Sequence, residues 1–260
     1  MKIIVCVKQV LDTAARIRIA DGAVEAGEIP RILNPYDEYA VEEAIRIKEK
    51  IPDTGVTLLT VGPEDCRKVL QTGLAMGADG AAHLLDPAFD ELDHDGTARV
   101  LAAAIGSMPF DLILCGRQAV DDDMAQVGPA LAVLLGIPFV SVVTGLSLAA
   151  DGKRATVIRQ IEGGSETLDA PLPLLLTCQK GLNEPRLPSL KGIMAARKKE
   201  IRVLDAQAIG FDAAALAPGK VRQVDLSLPP QRKKGIILEG PAEEAAAKLV
   251  KILREDVKVV

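Results

Sequence analysis

At 260 residues, the chain can bury a full core without disulfides or metals. Its net charge of −5 leaves no basic excess to neutralise nucleic-acid phosphates, so nucleic acid is not an expected partner. Four scattered cysteines (Cys6, Cys66, Cys115, Cys178) form no C-x-x-C pair, and two histidines (His83, His94) form no H-x-x-H. Disulfide frameworks, zinc sites and common hydrolase chemistry therefore lack their residues.

In chain order, residues 2–8 read as a short buried strand rich in β-branched side chains. Residues 16–33 alternate weakly about Asp21-Gly22 and suggest a hairpin-like excursion. Asn34-Pro35 then opens a helix, with Asn34 as N-cap and Tyr36, Ala40, Ala44 and Ile47 at helical spacing. The pattern repeats as strand 56–61, helix 64–76, strand 81–85, helix 96–106 and strand 111–115. A loop from Gly116 follows, and then a helix ending near Gly136. Continuous apolar strands alternating with amphipathic helices predict a parallel sheet covered on both faces, an α/β fold of the Rossmann-like, nucleotide-binding kind.

After residue 138 the pattern changes to short β-like runs at 138–143, 145–149, 154–161 and 172–177. Asp151-Gly152 and Gly163-Gly164 mark turns. Residues 180–199 are irregular, Pro-rich and basic, 205–235 read as extended, and 242–255 as a final helix. The expected organisation is a body over 1–204 and a partner-wrapping arm over 205–260. The apolar run at 131–143 is broken by Gly136 and Pro138, too short for a membrane span. The amino-terminal apolar run is too short for a signal peptide, so a cytoplasmic protein is expected.

Ligands of open parallel sheets bind at strand carboxyl ends. Here those ends are Cys6, Val61 and the loop G-R-Q-A-V-D-D-D-M-A-Q-V, residues 116–127. The helix starting between Asp123 and Gly128, with Pro129 in its first turn, offers free N–H groups, and Gln126 adds an amide, so a phosphate could be held there. Asp121, Asp122 and Asp123 are anionic and read as caps or ribose acceptors. A plain capped helix is the alternative.

The segment V-I-R-Q-I-E-G-G-S-E-T-L-D-A-P-L-P-L-L-L-T (157–177) resembles the signature of the electron transfer flavoprotein beta subunit. N-P-Y-D at 34, A-M-G-A-D at 75, G-R-Q-A-V-D-D-D at 116 and L-N-E-P-R at 182 extend the resemblance along nearly the whole chain. That family is a heterodimer whose redox-active FAD is held mainly by the alpha subunit, while most beta subunits bury a structural AMP. The resemblance implies AMP contacts at Cys6, Asn34, Pro35, Tyr36, Asp37 and Val61. It implies further contacts along the loop Gly116, Arg117, Gln118, Ala119, Val120, Asp121, Asp122, Asp123, Met124, Ala125, Gln126 and Val127. A second FAD in the same site, as in electron-bifurcating members that oxidise NADH, is the alternative: A-Q-V-G-P resembles that branch, whereas Asp122 and D-H-D-G-T (93–97) depart from it. Residues 182–199 match the loop that docks acyl-CoA dehydrogenases, with Leu190 as anchor beside Ile193 and Met194. Ala195 stands where some relatives carry a methylated lysine. The resemblance implies an electron carrier without catalytic residues or metal, working between flavin dehydrogenases and a quinone oxidoreductase and not inserting into the membrane. A solitary nucleotide-binding stress-type module is the third possibility, and the long arm argues against it.

Overall fold

The computed structural model describes residues 1–27, 29–90, 92–216, 219–230 and 235–259. The chain begins with β1 (Lys2–Cys6), β2 (Gln9–Leu11), the small hairpin β3 (Ile19–Ala20) and β4 (Ala23–Val24), and β5 (Arg31–Leu33). These lead into α1 (Pro35–Lys50). Then come β6 (Gly55–Val61), α2 (Arg67–Met76), β7 (Gly80–Leu84), α3 (His94–Gly106), β8 (Leu112–Gly116) and α4 (Val127–Leu135). β9 (Phe139–Leu148), β10 (Arg154–Ile161), β11 (Gly164–Pro171) and β12 (Leu174–Cys178) follow. Last are α5 (Leu190–Ala196), β13 (Ile201–Leu204) and α6 (Ala242–Ile252).

Nine strands form one sheet in the order β11-β10-β9-β12-β8-β1-β6-β7-β13. From β9 through to β13 all pairings are parallel, while β10 and β11 run antiparallel at one edge. The central strands are apolar throughout because both of their faces are covered. On one face Ile3, Val5, Leu112, Leu114, Leu174 and Leu176 meet α1 and α2. On the other, Ile4, Cys6, Ile113, Cys115 and Leu175 meet α3 and α4.

The expected α/β fold is present, with local differences. The two runs expected at 138–143 and 145–149 are one strand, β9, whose register against β12 shifts where Val142 takes φ +61°. The irregular stretch before Lys199 contains α5, and β13 extends the sheet edge beyond it. The helix expected from Glu64 begins as one 3-10 turn and becomes α2 at Arg67. Past β13, Ala206 and Ile209 are buried in the core, and Phe211 meets Phe89 edge-on at 6.3 Å. Beyond them Asp93 accepts from the N–H groups of Lys220 (2.5 Å) and Val221 (3.2 Å), while α6 buries none of its residues. No helix among the described residues is long and apolar enough to cross a membrane.

Candidate functional site

β1 and β8 lie side by side, with Cys6 opposite Cys115, but their outgoing connections diverge. The chain leaves β1 for α1 on one face and leaves β8 for α4 on the other. This is the topological switch point, where an open α/β sheet has a crevice at its strand ends. A cavity of about 300 Å³ occupies it, at the lower end of the size range of small-ligand pockets. Cys6, Leu59, Val61 and Cys115 line it from the sheet; Phe89, Leu92, Thr97 and Leu101 add an apolar flank. The loop after β8 closes the opposite side.

Asp37 joins the pieces. Its carboxylate accepts from the Lys8 N–H (2.7 Å), the Asn34 amide (3.0 Å) and the Gly116 N–H (3.1 Å), tying the ends of β1 and β8 to the start of α1. Burial pushes this carboxyl up to about 7, against the pull of those donors. The approach is close enough to demand glycine at 116: a Cβ there would sit 2.8 Å from the Asp37 nitrogen and from the Tyr36 carbonyl carbon. Gly128 is similarly confined, with a Cβ placed 2.7 Å from Thr177 Cγ2.

Asn34 does not cap α1 with its side chain. Its amide instead donates to the Gln118 carbonyl (2.9 Å), and its Oδ1 accepts from the Val120 N–H (3.2 Å), bracing the loop from the opposite wall. Gln118 in turn donates to Asp123 (2.6 Å). Asp123 and Ala125 both take φ +54°, a conformation that side-chain-bearing residues adopt only under constraint. The loop delivers Gln126, Val127 and Gly128 to the cavity wall at the first turn of α4, and no side chain among the described residues caps that helix start. First-turn N–H groups have no intrahelical acceptors, so they offer donors and a positive dipole end to an anion. At the rim Lys8 Nζ pairs with Asp121 and Asp122, both at 2.9 Å, and His94 Nε2 lies 3.3 Å from the same Asp122 carboxylate. His94 Nδ1 is buried and lacks a hydrogen-bond partner among the described residues.

Comparison with known proteins decides the family. The electron transfer flavoprotein domain model matches residues 22–209. The electron transfer flavoprotein subunit beta of Bacillus subtilis is 41% identical, with all of both chains aligned. The chain belongs to the electron transfer flavoprotein family. Its similarity to beta subunits extends to cattle, where the subunit is 38% identical over 98% of each chain. The subunit CarD of the caffeyl-CoA reductase-Etf complex of Acetobacterium woodii is 40% identical over 98% of each. The role of the chain is electron transfer.

In this electron transfer flavoprotein subunit, the cavity is lined by Cys6, Asn34, Asp37, Val61, Gly116, Arg117, Gln118, Ala119, Asp122, Ala125, Gln126 and Val127 of the sequence-derived set. Pro35, Tyr36, Val120, Asp121, Asp123 and Met124 do not line it: Pro35 and Tyr36 start α1, Val120, Asp123 and Met124 hold the loop, and Asp121 pairs with Lys8 at the rim. Sequence reasoning missed Lys8, Phe89, Leu92, Asp93, His94, Thr97 and Leu101. The available signal was D-H-D-G-T, in which Asp93 caps α3 by accepting the Gly96 N–H (2.9 Å).

The L-N-E-P-R motif fastens the segment before α5 to α1. Asn183 donates to the Tyr39 carbonyl (3.0 Å) and to Glu43 (2.9 Å). Arg186 donates to Glu42 (2.8 Å) and to Glu49 (3.1 Å), and Arg46 also reaches Glu42 (2.8 Å). Burial opposes the charge on Glu42, but the two arginines hold its carboxyl below the ordinary range. Ser189 caps α5 through the Gly192 N–H, and Ala196 is buried. That leaves Leu190 84%, Met194 68% and Ile193 39% exposed.

Proposed function

We propose that this chain pairs with an electron transfer flavoprotein alpha subunit and buries an AMP in the switch-point cavity. The pair relays electrons from acyl-CoA-type flavin dehydrogenases to a quinone oxidoreductase. The carrying observation is the cavity itself. A helix start and a buried His94 Nδ1, both without a side-chain partner among the described residues, and an apolar flank converge on a space at the small end for a ligand. Phe89, Leu92 and Leu101 suit a purine face. The N–H groups of Gln126 to Gly128 suit a phosphate, and Asn34, Gln118 and Asp37 hold the enclosing loop in place.

FAD supplies the redox chemistry when bound, chiefly on the alpha subunit. This chain contributes order to that site: a rigid sheet, a buried nucleotide and an exposed docking helix. The cluster of Leu190, Ile193 and Met194 on α5, stapled to α1 by Arg186 and Asn183, supports the docking assignment. Exposed apolar side chains of the arm (Val224, Ile236, Ile237) support its assignment to the alpha-subunit contact.

A second FAD in place of AMP is the other reading, favoured by full-length similarity to a subunit named for a caffeyl-CoA reductase-Etf complex. Co-expression with an alpha subunit, denaturation and chromatography of the released nucleotides test both. One FAD and one AMP per heterodimer is the expected result. Two FAD would transfer the assignment to the bifurcating type, and a single FAD with no other nucleotide would remove the cavity's proposed role.

A further inference from the structure

The rim of the cavity sets an electrostatic problem. The same loop that presents the N–H groups of Gln126 and Val127 also carries Asp122, which lines the cavity, and Asp121, which shares the Lys8 ammonium with it, and these carboxylates would repel a phosphate. Lys8 stands two residues past the end of β1, and its ammonium lies 2.9 Å from each of these carboxylates. We propose that Lys8 is a specificity-determining residue that offsets one of the two negative charges of Asp121 and Asp122, so that the cavity prefers a nucleoside phosphate over the uncharged nucleoside.

Three features support this role. Lys8, Asp122 and His94 all line the cavity and come from three separate elements, so the cluster spans the rim and is not a pair on one surface. The Lys8 backbone N–H is held by Asp37, and Val7 is bonded through its own N–H to the Leu59 carbonyl (2.9 Å), which fixes the stem of the side chain. Asp122 lines the cavity directly, and Asp121 lies within reach of the same ammonium, so the pair's charge lies close to the opening. Burial disfavours the charge on Lys8, yet the two aspartates reverse this and keep it protonated.

The inference rests on an adenine nucleotide being the occupant. The test is displacement of labelled AMP from the purified heterodimer by unlabelled AMP and by adenosine. In the wild type, AMP should compete far better than adenosine. Lys8→Met should reduce that preference about tenfold by weakening AMP while leaving adenosine unchanged. Adding Asp121→Asn and Asp122→Asn to Lys8→Met should restore it, a charge rescue that a merely structural lysine would not show. An unchanged AMP-to-adenosine ratio in Lys8→Met, or a triple variant no better than the single one, would overturn the assignment. If the wild-type heterodimer neither yields nor exchanges AMP, the cavity's occupant is wrong, a failure separate from that of Lys8.

Discussion

Replacing Gly116 by alanine tests whether the end of β8 and the start of α1 must touch for the cavity to form. The glycine adopts no left-handed backbone angle, so the substitution acts through contact alone. Its new methyl would lie 2.8 Å from the Asp37 nitrogen and from the Tyr36 carbonyl carbon, and would press on the Asp37 carboxylate. Backbone atoms cannot swing aside as a side-chain tip can, so α1 or β8 must shift. Overpacking of this kind costs about 1–3 kcal/mol, and each bond lost from Asp37 to Lys8, Asn34 or Gly116 adds about 1 kcal/mol. A total of about 3 kcal/mol would lower the melting midpoint by roughly 6–12 °C in a chain of this size. The assay is a thermal melt of the purified heterodimer at fixed concentration, with bound nucleotide measured on the same sample. Gly106→Ala is the control, because its Cβ would meet nothing within 4 Å. A Gly116→Ala protein that melts with the wild type and keeps its nucleotide would refute the clamp.

Leu190→Ala should slow electron transfer from the dehydrogenase about tenfold to a hundredfold, as loss of an apolar anchor worth ~2 kcal/mol or more does. Its melting midpoint should hold, and a destabilised protein with normal transfer would overturn the docking role. Arg186→Ala leaves the buried Glu42 with Arg46 as its one charged partner and should cost about 2 kcal/mol locally, read as faster tryptic cutting at Lys191 and Arg197. Unchanged cutting would show that the ion pair does not hold the segment. Asp37 gives a pH signature, since burial lifts its carboxyl from the ordinary 3.8 to about 7. The folded state then holds this proton more tightly than the unfolded chain, so the stabilising contribution is complete below 3.8 and lost as pH rises through about 7. Measured by denaturant unfolding, the stability of wild type relative to Asp37→Asn should fall across that interval. A flat difference would mean that the three donors offset burial completely.

Much of this protein was legible in one dimension. Apolar runs such as I-I-V-C and L-I-L-C announce strands covered on both faces. Pro35 and Pro129 mark helix starts, and the strand-to-helix loops at 34–37 and 116–127 mark the ligand end of the sheet. These signals are local, arising from backbone preference and from periodic burial within a few residues. Strand order is not local. That β1 lies between β6 and β8, bringing Cys6 beside Cys115, follows from contacts between segments about 50 to 110 residues apart. Asn34 shows the limit: its position reads as a cap, yet its side chain bonds to the Asp37 carboxylate and, across the crevice, to Gln118 and Val120. Lys8 belongs to no motif and His94 only to D-H-D-G-T, and both become rim residues only when β1, α3 and the loop after β8 converge. Local chemistry therefore determined which segments are strands, helices and ligand loops. Long-range packing alone decided which side chains face one another across the cavity, because those encounters depend on the summed geometry of the whole sheet.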